Sequence, residues 1–284
     1  MQRIIFVGNC QIQAIYHLFQ RFAWHPGEQA LTYVPAYEAL DSDAAAEIAK
    51  ADLIVEQVFD LPPKAEIEGL NKTARRVLVP LVGANFLWPF AGSPRIHNPV
   101  RPFLPMGAFP AEAGISFLDR MIRDGTDPET AVEALMDYDV PAKLDLDRRY
   151  ELSIDRQRRR DELTGASFAP LIERHFRDER LFLSPYHPDT RIALALTAFA
   201  FERIDVAGAD IERLRRATRR TPFPPLELPI HPAVVRHFGL RYLSEEPRFA
   251  FLNEGRLTFR EIALRYMRCE WNEALEDGIE SALW

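Results

Sequence analysis

The sequence predicts an α/β fold, a parallel sheet flanked by helices and carrying a helical annex. Two observations carry this expectation. Four short, largely apolar runs of strand length recur near the start of the chain, at Ile4–Val7, Ala30–Val34, Asp52–Gln57 and Arg76–Val82. Between them lie stretches with helical spacing, most clearly Ile12, Ile15, Leu18, Phe19 and Phe22. Strands that alternate with helices imply parallel pairing through crossover connections.

The elements follow in order. Ile4–Val7 reads as a buried strand that Gly8-Asn9 ends, and Cys10-Gln11 opens the first helix. Ala30–Val34 is the second strand. A short helix spans Asp43–Lys50, with Asp41, Ser42 or Asp43 as its cap. Asp52–Gln57 is the third strand. Pro62-Pro63 marks a loop, Glu66–Leu70 one helical turn, and Arg76–Val82 the fourth strand, ending at Gly83. Phe86–Pro110, rich in proline and aromatics, reads as a long loop over the carboxyl edge of the sheet. Helices are expected over Ala113–Arg123, from Pro128 to about Tyr138 behind an Asp127 cap, and over the charged Leu144–Leu163. Leu181–Leu183 suggests a strand. Arg191–Ile204 is a helix apolar on most faces, Asp210–Arg220 a basic amphipathic helix, and Thr258–Cys269 a last helix after an Asn253-Glu-Gly255 turn. The expected organisation is a single α/β domain over 1–284, with roughly 113–175 as a helical insertion or cap.

Composition narrows the class. The chain has 284 residues, 47% hydrophobic and 27% charged, which is ordinary for a globular protein. A net charge of −7 argues against general nucleic-acid binding. No apolar run reaches membrane-spanning length and no secretion signal is evident, so a cytoplasmic protein is expected. The two cysteines, Cys10 and Cys269, have no metal-ligand spacing, and a reducing compartment fits them better than a disulfide scaffold. A homo-oligomer is compatible with the sequence.

Open parallel sheets bind ligands beyond the carboxyl ends of their strands. Cys10, Gln57 and Asn85 each end or follow a strand, so the fold expectation gathers them along one edge. Cys10 also starts a helix. There the partial positive charge and unpaired N–H groups stabilise a thiolate and can hold an oxyanion. The competing reading makes Cys10 a small packing residue and Gly8 a turn glycine. A cysteine nucleophile needs a base. Of the seven histidines, His187 is the best placed, in a loop held by Pro185 and Pro188 before a helix. His97 and His231 are weaker candidates, and His17, His25, His175 and His237 read as structural.

The order Gly8-Asn9-Cys10-Gln11, Gly83-Ala84-Asn85, Ser184-x-x-His187 resembles the SGNH/GDSL hydrolase layout. In that layout a Gly-Asp-Ser turn carries the nucleophile, a Gly-x-Asn turn an oxyanion donor, and an Asp-x-x-His block the base. Here Cys10 replaces the serine and Ser184 stands where the aspartate is expected, so the layout implies a Cys10–His187 dyad, with Asp189, at a spacing unlike the usual block, as the alternative residue to orient the histidine. The Gly-Asn-Cys-Gln opening, with Asp52–Gln57, Tyr186-His187-Pro188-Asp189 and the Thr258–Cys269 helix, more specifically resembles the WcbI family.

That resemblance implies a role in capsular polysaccharide biosynthesis, binding of coenzyme A, and transfer of an acetyl group from acetyl-CoA to a sugar or glycan acceptor. It implies Cys10, His187 and Asn85 as catalytic residues. Gly8, Asn9, Gln11, Gln57, Ser184 and Arg95 are then expected to bind substrate or cofactor, with no metal. Basic residues for CoA phosphates are sought among Arg75, Arg76, Arg95 and Arg101, among Arg156, Arg158, Arg159 and Arg160, and among Arg213, Arg215, Arg216, Arg219 and Arg220. For each of the two helix clusters, a solvated face balanced by Asp and Glu is the favoured reading. The same site would also suit a thiol-dependent esterase, or a non-catalytic CoA- or glycan-binding module.

Overall fold

The computed structural model describes residues 1–36, 40–59, 65–100, 106–217, 227–251 and 254–271. The expected loop at Pro62-Pro63, and Arg101, Arg219, Arg220 and Asn253, lie outside them. The chain divides into two compact units. The first comprises Met1–Gly83, Ile154–Glu173 and His187–Phe223. The second comprises Ala84–Ser153, Arg174–Tyr186 and Pro224–Trp284. Among the described residues no helix is long and apolar enough to cross a membrane.

The first unit is built on a four-stranded sheet with all neighbours parallel. In chain order its first elements are β1 (Gln2–Gly8), α1 (Cys10–Phe22), β2 (Gln29–Pro35), α2 (Ser42–Ala49), β3 (Leu53–Val58), α3 (Ala65–Leu70) and β4 (Arg75–Pro80). The strand order is β2-β1-β3-β4. The chain therefore leaves β1 toward one side and later pairs β3 on the other, which makes the carboxyl ends of β1 and β3 a topological switch point.

Alternation along β1 sorts the core. Ile5 and Val7 join Val34, Ile54, Ile48 of α2 and Ile67 of α3 in one apolar cluster. Phe6 points the other way and meets Tyr16 and Phe19 of α1, each at 5.6 Å between ring centroids. Phe19 in turn meets Phe201, 5.6 Å away. Helices thus cover both faces. Each fully buried isoleucine of this core contributes about 1.5–3 kcal/mol of transfer free energy.

The middle helices are α4 (Ser116–Arg123), α5 (Pro128–Met136), α6 (Val140–Leu144), α7 (Leu146–Thr164) and α8 (Phe168–His175). They are followed by α9 (Thr190–Ile204), α10 (Gly208–Ala217) and α11 (Pro232–Phe238). The last elements are β5 (Arg248–Ala250), β6 (Arg256–Thr258) and α12 (Phe259–Arg268). Caps follow side-chain chemistry. Asp41, Asp127 and Asp189 each accept from the first turn of their helices, and Thr258 forms a capping box with Glu261. In the second unit α12 packs on α4 and α5, and α11 on α6. Phe86, Tyr150, Phe176 and Phe238 form an aromatic cluster there.

Three expectations need correction. Leu181–Leu183 is not a strand: Phe182 makes a single bridge, Leu183 lies in a bend, and its carbonyl accepts from Leu228 N at 2.8 Å. The helix expected from Ala113 starts at Ser116, because Ala111–Ala113 form a separate 3-10 turn. The helix expected over Leu144–Leu163 is α7, and only its start moves to Leu146, because Leu144 ends α6 and Asp145, whose φ of 47° is left-handed, separates the two. The antiparallel pair β5–β6 was not anticipated.

Candidate functional site

The site is assembled at the end of β1. Gly8 closes the strand, and Asn9 caps α1 by accepting from Gln11 N at 2.8 Å. Cys10 is therefore the first helical residue, half-buried and not in a disulfide. A Cβ at Gly8 would lie 2.3 Å from Ile12 Cγ1 and 2.9 Å from Gln57 Oε1. Only glycine lets the first turn of α1 fold back this closely on the strand.

Buried polar side chains lock the surrounding strand ends. Gln11 Nε2 donates to the Val82 carbonyl at 2.6 Å, and Gln11 Oε1 accepts from Val82 N at 3.1 Å. Gln57 Nε2 donates to Gln11 Oε1 at 3.2 Å, while Gln57 Oε1 accepts from Asn9 N at 2.9 Å. Arg160, on α7, donates to the carbonyls of Phe59 and Leu81. Gln11, Gln57 and Arg160 are 1%, 4% and 7% exposed, so their polar groups are bound to the protein itself. Both glutamines, expected to touch a ligand, hold the turn instead.

His187 belongs to the same unit as Cys10. It is followed by Pro188 and by Asp189, which caps α9. Pro188 lines one narrow gap with Gln11, Ala14 and Ile15 of α1 and Ala193, Leu196 and Thr197 of α9. The residues after Cys10 and after His187 therefore pack in one place.

The other expected site residues lie in the second unit. Asn85 opens a 3-10 turn, Asn85–Leu87, and its Oδ1 accepts from Ser153 Oγ at 3.1 Å, which presents Nδ2 as the donor end of the amide. Ser184 is buried and donates to Glu112 at 2.5 Å. Glu112 thus brings a carboxylate to the serine that replaces the expected aspartate. Arg95 is buried and donates to the carbonyls of Tyr266 and Met267, at the end of α12, and of Ile96 and His97. A cation at a helix C-terminus is favoured by the macrodipole. The guanidinium is engaged with backbone rather than offered to a phosphate.

The remaining arginines divide by their partners. Arg75 pairs with Asp205 at 2.6 Å and Arg76 with Glu56 and Glu68. Arg158 pairs with Asp155 and Glu173, Arg213 with Asp210, and Arg215 with Glu202 and Glu212. Arg156, Arg159 and Arg216 are exposed and have no ion pair among the described residues. The role of Arg160 was not anticipated. Its signal is the helical stripe Ile154, Gln157, Asp161 and Thr164, which is buried and carries Arg160 inward beside it. On that stripe burial raises the Asp161 pKa, although its carboxylate accepts from Ala169 N at 2.7 Å.

The family model described as polysaccharide biosynthesis enzyme WcbI matches residues 3–209. The fold is similar to a solved structure of WcbI, described as a novel polysaccharide biosynthesis enzyme in its native form, without a disulfide bond between CoA and one of its cysteines. The two are 15% identical over 99% of this chain and 94% of that one, with a TM-score of 0.61. At that identity the likeness is one of fold. No curated protein shows significant similarity to the chain.

Proposed function

This chain belongs to the WcbI family of polysaccharide biosynthesis enzymes, and we propose that it is a CoA-dependent acyltransferase that acetylates a hydroxyl of a sugar or polysaccharide precursor. The observation that carries this reading is Cys10 at the start of α1, beside the β1–β3 switch point and in one unit with His187. The solved WcbI structure, whose description names CoA and a cysteine without a disulfide between them, supports CoA as the ligand class. A CoA thioester supplies an activated acyl carbon.

The residues fit such a substrate. A thiol at a helix N-terminus is favoured as thiolate, and the first N–H groups of the helix suit a developing oxyanion. Cys10 either accepts the acyl group on Sγ or lies beside a direct transfer. His187 takes the proton from Sγ or from the acceptor hydroxyl and returns it to the departing thiolate. Arg156, Arg159 and Arg216 are the cations proposed for the CoA phosphates. The same proposal makes the sheet SGNH-like, the product a capsule or other surface glycan, and the protein cytoplasmic, where Cys10 stays reduced.

Calorimetry of CoA and acetyl-CoA, on wild type and Cys10→Ser, tests the reading. Micromolar binding to both proteins, with acetyl transfer to a sugar lost only in Cys10→Ser, is expected. Absence of binding at millimolar ligand overturns it and favours a thiol-dependent esterase.

A further inference from the structure

We infer that Gln57 and Tyr33 are positioning residues for Cys10, because together they clamp the Gly8–Asn9 peptide from both sides. The inference rests on the proposed role of Cys10. The peptide joins the Gly8 carbonyl to the Asn9 N–H, which point in opposite directions across the plane of the amide. The carbonyl accepts from Tyr33 Oη at 3.0 Å and from Ala36 N at 2.9 Å. The N–H donates to Gln57 Oε1 at 2.9 Å. Tyr33 comes from β2 and Gln57 from β3, the two neighbours of β1 in the sheet. Rotating this one peptide breaks three hydrogen bonds at once.

The clamp acts on the thiol through the backbone. Asn9 is extended, with φ −91° and ψ −163°, and from there its side chain caps Gln11 N. Cys10 follows directly, so the direction in which α1 starts is set by a peptide whose two ends are both held. Gly8 permits this, since a Cβ there would crowd Gln57 Oε1 at 2.9 Å. Gln57 is itself fixed by its bond to Gln11 Oε1 at 3.2 Å. The arrangement is a second layer that fixes a reacting group without touching its substrate, as precise positioning requires.

The test is alkylation of Cys10 by iodoacetamide across pH, read on the Cys10 peptide by mass spectrometry, in wild type, Gln57→Leu, Gln57→Glu and Tyr33→Phe. Gln57→Leu leaves the Asn9 N–H without its acceptor and is expected to slow the thiolate plateau rate about tenfold. Gln57→Glu keeps an acceptor for Asn9 N but cannot donate to Gln11 Oε1, and it adds a negative charge on the strand beside the turn. It is expected to have a plateau between those of wild type and Gln57→Leu and a midpoint at higher pH. Tyr33→Phe leaves Ala36 N in place and is expected to have a smaller effect than Gln57→Leu. A wild-type plateau and midpoint in folded Gln57→Leu and Gln57→Glu overturn the proposal. Hydrogen exchange at the Asn9 amide reads the clamp independently of thiol chemistry. If wild-type Cys10 alkylates no faster than Cys269, the acyltransferase reading fails, and the clamp still stands or falls on whether Gln57→Leu speeds that exchange.

Discussion

The side-chain amide of Gln11 pairs with both backbone groups of Val82, donating to its carbonyl at 2.6 Å and accepting from its N–H at 3.1 Å. It does what a neighbouring strand would do, just beyond the end of β4. A residue of the first helical turn thereby closes the carboxyl end of the sheet. Gln11→Leu keeps the bulk and removes both bonds, and it also strips Gln57 Nε2 of its acceptor. Buried groups left without partners cost about 1–3 kcal/mol each. The expected loss is about 3 kcal/mol in urea unfolding, and a loss below about 1 kcal/mol would show that the pairing is replaceable by water.

Arg160 and Arg159 are neighbours on α7 with opposite expectations. Arg160→Met leaves the Phe59 and Leu81 carbonyls without their charged donor, and hydrogen bonds to charged groups are worth about 1.5–3 kcal/mol. A fall in stability of that size or more is expected by thermal unfolding. Arg159→Met, at an exposed position, is expected to change stability by less than about 0.5 kcal/mol. If Arg159 holds a CoA phosphate, its loss weakens CoA binding while leaving the fold intact. The pair therefore separates a buried strut from a ligand cation within one charged run. Equal stability of the two variants would contradict the assignment.

Gly8→Ala is expected to damage the site more than the fold. The added Cβ would lie 2.3 Å from Ile12 Cγ1, and overpacking of this kind costs about 1–3 kcal/mol. Relief requires the first turn of α1 to move, which carries Cys10 with it. The expected outcome is a folded protein, by circular dichroism, in which Cys10 alkylation and CoA binding both fall. Unchanged alkylation would show that the turn tolerates the methyl group without moving the thiol.

Why these residues were legible, and others not, follows from the range of the interactions. β1, α1 and the cap at Asn9 are written in local pattern: an apolar run, a turn dipeptide and helical spacing at Ile12, Ile15, Leu18, Phe19 and Phe22. Parallel pairing follows from alternation of strands and helices, whereas the placement of β1 between β2 and β3 does not. The engagement of Gln11 with Val82 spans 71 residues and that of Arg160 with Phe59 spans 101. No local spacing encodes them, so a glutamine and an arginine near a candidate nucleophile read as ligand contacts. The engagement of Arg95 is hidden for the same reason: its partners include carbonyls at the far end of the chain. Cys10 and His187 stood out because their own neighbours, Gly8-Asn9 and Pro188-Asp189, carry turn and cap chemistry.

His231 sets a pH limit on stability. It caps α11, with Nδ1 accepting from Ala233 N at 3.1 Å while Nε2 lies 3.1 Å from the Leu135 carbonyl. These two bonds together need the neutral ring, with its proton on Nε2. Protonation of Nδ1 would break the cap and bury a charge, and burial lowers the pKa from 6.5 to about 4. The folded value lies below the unfolded one, so the unfolded state binds the extra proton as pH falls below 6.5. The stability lost between pH 6.5 and pH 4 is expected to be about 3 kcal/mol, with no further loss from this group below that. His231→Asn keeps an acceptor for Ala233 N and removes the titration. It is expected to be less stable than wild type at pH 7, having lost the bond to Leu135, yet to lose less on acidification. Urea midpoints for both proteins at pH 7 and pH 4.5 decide the matter: parallel losses would mean that other groups, and not this buried imidazole, govern the acid limit.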